Sequence, residues 1–213
     1  MEEKLSDDNK EQSKKIFENT THHCGEWLDF KTVTLNANNK LIKNYEYVDR
    51  SVKKKRHPTQ DGVTILAILH FSQITSRKLI IIANFRPPVN NYVLEFPGGL
   101  VESDAGIEDA LRELIEETGY VGKGRTGDTN GSNIVYFDPW KSTENSKFII
   151  VDVDGDDEKN KNPMQILDES EVIKVLLLDF DKNLLMTLEE LKVKHNYLIC
   201  SELYTFALSL ALF

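Results

Sequence analysis

The chain has 213 residues, 40% of them hydrophobic and 29% charged, ordinary proportions for a globular protein long enough to bury a full core. A formal net charge of -9 argues against nucleic acid as a partner, because binding that backbone needs a positive face. No apolar run is long enough to cross a bilayer, so no membrane partner is expected, and the two cysteines, Cys24 and Cys200, stand in no paired motif that would suggest a disulfide framework or a zinc site.

Residues 1–20 are rich in Lys, Glu, Asp and Asn and read as a flexible N-terminal arm, or as a helix ordered only by a neighbour. They lack the apolar segment of a secretion signal, so a cytoplasmic protein is expected. Residues 21–58 read as a small N-terminal β subdomain. Trp27 to Leu35 and Leu41 to Val48 alternate loosely between apolar and polar residues, and the turn chemistry of Asn36-Ala37-Asn38-Asn39 between them predicts a β-hairpin. The run Lys53-Lys54-Lys55-Arg56 admits two readings, a nuclear address or a solvated loop, and the loop is the commoner use of short basic runs.

Residues 59–213 read as the main domain. Gly62 to Phe71 and Lys78 to Phe85 are rich in Val, Ile, Leu and Phe and predict buried strands. Arg86-Pro87-Pro88 must break the pairing, since proline has no backbone donor, and Tyr92 to Phe96 offers a short strand before Pro97-Gly98-Gly99. Ile107, Ala110, Leu111, Leu114 and Ile115 then recur at three- and four-residue spacing, which predicts a helix from Gly106 to Thr118 with Gly119 as its C-terminal cap. Further strands are predicted at Ile134 to Phe137, Lys147 to Val153 and Val172 to Leu178, and helices at Leu188 to Lys194 and Ser201 to Phe213. Strands outnumber helices and do not alternate with them regularly, which favours an α+β sandwich over a doubly wound sheet.

The predicted helix carries the chemistry. Glu113, Glu116 and Glu117 stand at i, i+3 and i+4 and so project from one side, where three like charges repel. A solvated helix face would usually interleave lysines, but the nearby cation is Arg112 alone. A magnesium or manganese ion would offset the repulsion, since hard cations take carboxylate oxygens and keep water ligands. Gly98-Gly99 before the helix lets the backbone approach an ion or a phosphate closely.

Together these residues resemble the signature of the Nudix hydrolases, in which a glycine, five residues, a glutamate and seven residues lead into Arg-Glu-U-X-Glu-Glu-X-Gly-U, with U apolar. Here the match runs from Gly98 through Asp104, in place of the glutamate, to Arg112-Glu113-Leu114-Ile115-Glu116-Glu117-Thr118-Gly119-Tyr120. Aligning Gly99 instead of Gly98 leaves the loop one residue short. The resemblance implies a Nudix-type α/β/α sandwich with a mixed sheet. It also implies divalent-ion binding, by Mg2+ or with Mn2+ as a substitute, at Glu113, Glu116, Glu117 and the Gly98 carbonyl. Arg112 and Glu116 count among its catalytic residues, with Arg112 orienting the glutamates.

Over most of the chain the resemblance extends to the ADP-sugar pyrophosphatases of that family, carried by GEWLDF, NYEYVDRS, QDGVTIL, NFRPPVNNYVLEFPGG and DGDDE. It implies cleavage of ADP-ribose to AMP and ribose 5-phosphate. Trp27 and Tyr45 would stack on the adenine, Glu46 and Arg50 would recognise the base and its surroundings, and Arg86 would reach the phosphates. Glu171 would act as general base, with Glu169 a close competitor. Phe137-Asp138-Pro139 resembles the segment with the subfamily's marker proline, although Trp140 stands where glycine is expected. The subfamily's members are homodimers whose N-terminal strands complete the partner's adenine pocket. Two other readings compete: a Nudix hydrolase of another nucleoside diphosphate derivative, such as an oxidised guanine nucleotide, and a weakly catalytic ADP-ribose sensor.

Overall fold

The computed structural model describes residues 15–102, 106–125 and 132–212, so Asp104 lies outside the described residues. By its contacts the chain forms two units. One runs to Lys55 and takes in Tyr136–Asn145, and the other comprises Arg56–Val135 and Ser146–Phe213.

The smaller unit is a three-stranded antiparallel meander of β1 (Lys15–Cys24), β2 (Leu28–Ala37) and β3 (Lys40–Arg50). Its β2–β3 turn is the pair Asn38-Asn39, both left-handed at φ 52° and 61°, the conformation that a two-residue hairpin requires and that asparagine tolerates. Lys15 to Thr20, expected to be arm, belong to β1. Polar side chains hid the strand, because its ladder to β2 holds it and almost none of its surface is buried. The segment Tyr136–Asn145 laces onto β3: Val48 N–H donates to Lys141 O (2.9 Å), and Thr143 N–H donates to Val48 O (3.2 Å).

The larger unit is built on β4 (Gly62–Phe71), β5 (Ile74–Arg86), β6 (Asn91–Glu95), β7 (Gly98–Leu100), β8 (Lys123–Gly124), β9 (Val135–Tyr136, whose second residue falls in the smaller unit), β10 (Asn145–Asp154), β11 (Ile173–Asp179) and β12 (Leu198–Ile199). The sheet is mixed, with β4–β10 and β6–β12 parallel and β5 antiparallel to β4, β6 and β11. Alternation along each strand feeds two cores. Val63, Ile65, Ala67, Leu69, Ile80, Ile149, Val151 and Val153 face α1 (Ile107–Thr118), which contributes Ala110 and Leu114. Leu79, Ile81, Ala83 and Leu94 face α2 (Leu184–His195) and α3 (Ser201–Leu210) through Leu184, Leu188, Leu203 and Ala207. Helices therefore cover both faces of one mixed sheet. Each fully buried Leu or Ile contributes on the order of 2 kcal/mol.

Helix α1 lies within one residue of its expected limits, and its C-terminus shows why. Gly119 has φ 75° and closes the helix by donating to Ile115 O at 2.8 Å. A Cβ there would also stand 2.3 Å from Met164 N, so no other residue fits. Helix α2 starts four residues earlier than expected, at Leu184, whose burial against the second core was not marked by periodicity.

Candidate active site

Strand β7 places Gly98 and Gly99 beside α1. Glu117 is 3% exposed, and its Oε2 accepts the Gly98 N–H at 2.8 Å. The Glu113 carboxylate fills the space in which a Cβ at Gly99 would stand, 2.2 to 2.4 Å from it. Any side chain at Gly99 would therefore displace that glutamate. The two adjacent glycines thus have different structural tasks: one supplies an amide, the other supplies room.

Arg112 ties the same strand to the helix. Its guanidinium donates to Leu100 O at 3.2 Å and Glu116 Oε2 at 2.7 Å, and lies 2.8 Å from Glu113 Oε1. Asp109, which is not among the residues expected from the glutamate spacing, is buried one turn earlier; it accepts the Glu102 N–H at 3.1 Å and stands 3.6 Å from Arg112. Its i, i+3 relation to Arg112 was the available signal. Glu113 and Glu117 face the glycine strand, whereas Glu116 is turned toward Arg112.

Burial pushes the Glu113 carboxyl up to about 7, against the pull of Arg112. Burial likewise pushes Glu117 up to about 8; the Gly98 amide opposes the rise, and the charges of Glu113 and Glu171 add to it. Two desolvated acids side by side need a counter-charge to ionise. Among the described residues no group of three His, Cys, Asp or Glu side chains is arranged to hold a metal by itself. Two carboxylates beside a glycine strand nevertheless suit a hard divalent ion that retains waters.

Past the helix the chain doubles back over its end: Ile166 N–H donates to Glu116 O at 2.8 Å, and Gln165 Nε2 to Glu117 O at 2.6 Å. This brings Glu171 near the glutamate pair, since its charge raises both Glu113 and Glu117. Glu171 is further anchored by accepting the Asp168 N–H at 2.9 Å. Glu169 is exposed. Arg86, at the end of β5, pairs with Glu95 and acts electrostatically on Glu117.

A model of the NUDIX domain matches residues 59–199. The chain belongs to the Nudix hydrolase family. An uncharacterised Nudix hydrolase of Schizosaccharomyces pombe is 34% identical over 205 residues, 94% of each chain. The ADP-sugar pyrophosphatase of Mus musculus is 30% identical over 187 residues, covering 87% of this chain and 82% of the relative. The ADP-ribose pyrophosphatase of Saccharomyces cerevisiae is 34% identical over 123 residues, 57% of this chain and 52% of the relative. The crystal structure of an ADP compounds hydrolase shares the fold, with a TM-score of 0.53 at 16% identity over 84% of each chain. The chain is thus a Nudix enzyme, and the glutamate pair lies in its signature helix.

The remaining expected site residues of this Nudix hydrolase lie in the smaller unit. Trp27, in the turn before β2, is 51% exposed rather than core, with Lys54 Nζ 4.2 Å from its ring centroid. Tyr45 and Glu46 are exposed on β3, and the Tyr45 hydroxyl donates to Trp140 O. Arg50 is largely buried and ion-paired with Glu144 at 2.5 Å. Ser51 donates to Trp27 O, and Tyr45 lies six residues back along the same strand, roughly 20 Å away. About 20 Å of strand therefore separates the backbones that carry the two rings.

Proposed function

We propose that this Nudix hydrolase is an ADP-sugar pyrophosphatase that splits ADP-ribose into AMP and ribose 5-phosphate with Mg2+, Mn2+ serving as a substitute. The observation that carries the reading is the buried Glu113–Glu117 pair against the Gly98-Gly99 strand, charges that a solvated helix face would not bury. Its substrate class is supported by the mouse and budding-yeast relatives, whose names specify ADP-sugar and ADP-ribose.

Glu113, Glu117 and the Gly98 carbonyl would hold the divalent ion, with Glu116 beside them. The ion would neutralise charge developing on the phosphate oxygens and acidify an attacking water. Arg112 keeps Glu113 and Glu116 in place, and its bond to Leu100 O keeps the helix against the glycine strand. Glu171 takes the proton of the attacking water as general base. Arg86 pairs with the diphosphate, a task suited to its planar fork. Trp27 and Tyr45 stack on adenine, and Glu46 and Arg50 recognise the base and its surroundings. The interval of about 20 Å between the two backbone positions favours a homodimer in which each pocket takes Trp27 from one protomer and Tyr45 from the other.

Product analysis of purified protein with Mg2+ and ADP-ribose tests the reading. AMP and ribose 5-phosphate are expected. Intact ADP-ribose that still raises Tm would overturn the hydrolase in favour of a sensor, and faster turnover of an oxidised guanine nucleotide would replace the substrate.

A further inference from the structure

Arg86 is the last residue of β5, where Pro87 ends the strand, and half of its side chain is exposed. A long side chain in such a place ordinarily spreads over many rotamers, and immobilising it on a ligand costs conformational entropy. Here it is folded back along the sheet. Arg86 pairs in register with Asn91, whereas Glu95 pairs with Ile82, four residues earlier on β5, an interval of about 13 Å. Even spacing puts Ile82, Arg86 and Glu95 on one face of the sheet.

The guanidinium bridges that interval with a two-point contact: Nε donates to Oε1 and Oε2 of Glu95 at 3.0 and 3.2 Å, and Nη2 donates to Oε2 at 2.7 Å. The two ends differ in freedom. The Glu95 side chain is 15% exposed and that of Arg86 51%, so the carboxylate is the fixed end. Three residues beyond Glu95 stands Gly98, whose amide holds Glu117, and the charge of Arg86 is felt at Glu117. An acid between Leu94 and Phe96, both buried, has no place in a purely apolar strand. Its partner explains it.

We propose that Glu95 is the positioning residue for Arg86, fixing the plane and direction of the guanidinium toward the diphosphate before substrate arrives. The proposal rests on the reading of Arg86 as a diphosphate contact. Pre-orientation lowers the cost of binding without touching the chemical step, so its loss falls on KM.

The test is a double-mutant cycle on ADP-ribose hydrolysis with Mg2+, reading KM, kcat and Tm for E95Q, R86A and the double variant. E95Q is expected to raise KM about tenfold, with kcat nearly unchanged and Tm within about 2 °C of the parent, since a half-exposed ion pair contributes little stability. In the R86A background E95Q should add nothing. R86K, which leaves Glu95 in place but cannot make the two-point contact, should raise KM as E95Q does. An unchanged KM in E95Q or in R86K overturns the positioning role, as does an equal effect of E95Q with and without Arg86, which would mark a structural or separate role. An unchanged KM in R86A instead overturns the diphosphate reading of Arg86, and the role of Glu95 falls with it.

Discussion

The glutamates of α1 and the aromatic residues of the N-terminal sheet are held in opposite ways. Glu113 and Glu117 sit on a helix whose apolar stripe is locked into a core, so their positions are set by packing and their charges are partly desolvated. Trp27 and Tyr45 stand exposed on a meander held mainly by its strand ladders and by the Tyr136–Asn145 segment clipped along β3. Rigidity suits a charge constellation, where a displacement of about 1 Å can cost a hundredfold in rate. Stacking tolerates more, because every base presents a π-face. On the proposed function the chemical step falls to the larger unit and base stacking to the smaller, a division that mutation can break.

The largest effect is expected from Glu117→Gln. Losing a ligand that supplies several kcal/mol of charge stabilisation should lower the rate of AMP release by about a thousandfold at saturating Mg2+, and activity within tenfold of the parent would break the assignment. Glu171→Gln should lower kcat about a hundredfold with KM nearly constant, the pattern of a lost base; the same loss in Glu169→Gln but not in Glu171→Gln would transfer the role. Trp27→Ala should do the reverse. It should raise KM by roughly ten- to a hundredfold, from the 1–3 kcal/mol of one stacking contact, and leave kcat alone.

Stability separates the units as well. Leu114→Ala opens a cavity under the glutamates and should cost about 2–5 kcal/mol in a denaturant titration. Asn39→Ala, at a left-handed turn position, should cost about 1 kcal/mol. Metal-free protein should also lose stability as pH rises. The Glu113 and Glu117 carboxyls bind protons more tightly folded, at about 7 and about 8, than at their ordinary 4.5. Their contribution is present below about 4.5 and is lost as pH climbs through the folded values. Tm should fall by on the order of 5 °C between about pH 5 and pH 9 relative to Glu117→Gln, and Mg2+ should restore it mainly at the upper end. A parallel decline in the variant would remove Glu117 as the cause.

The strands β4, β5 and β10 and the helix α1 were legible because each carries its own periodic apolar pattern, and the pattern is a local property. The same held for the glutamate pair, since i, i+4 spacing on a helix fixes which side chains are neighbours. Strand β1 was not legible, because it is held by backbone ladders that any sequence can form. Nor were β7, β8 and β12, two or three residues each, too short to show a period.

What spacing along continuous elements determined by itself is therefore the α+β class and a helix with glutamates on one side; the mixed sheet of the family's sandwich and the hydrolase chemistry followed from the resemblance to the Nudix signature. What only the tertiary structure decided is how distant segments meet. It gave Glu113 the space left by Gly99, turned Glu116 to Arg112, brought the charge of Glu171 to bear on the glutamate pair, bound Arg86 to Glu95, and set about 20 Å of strand between the positions of Trp27 and Tyr45. Those outcomes depend on strand register and on how the chain folds back over a helix end, and neither is encoded in the spacing of any single segment.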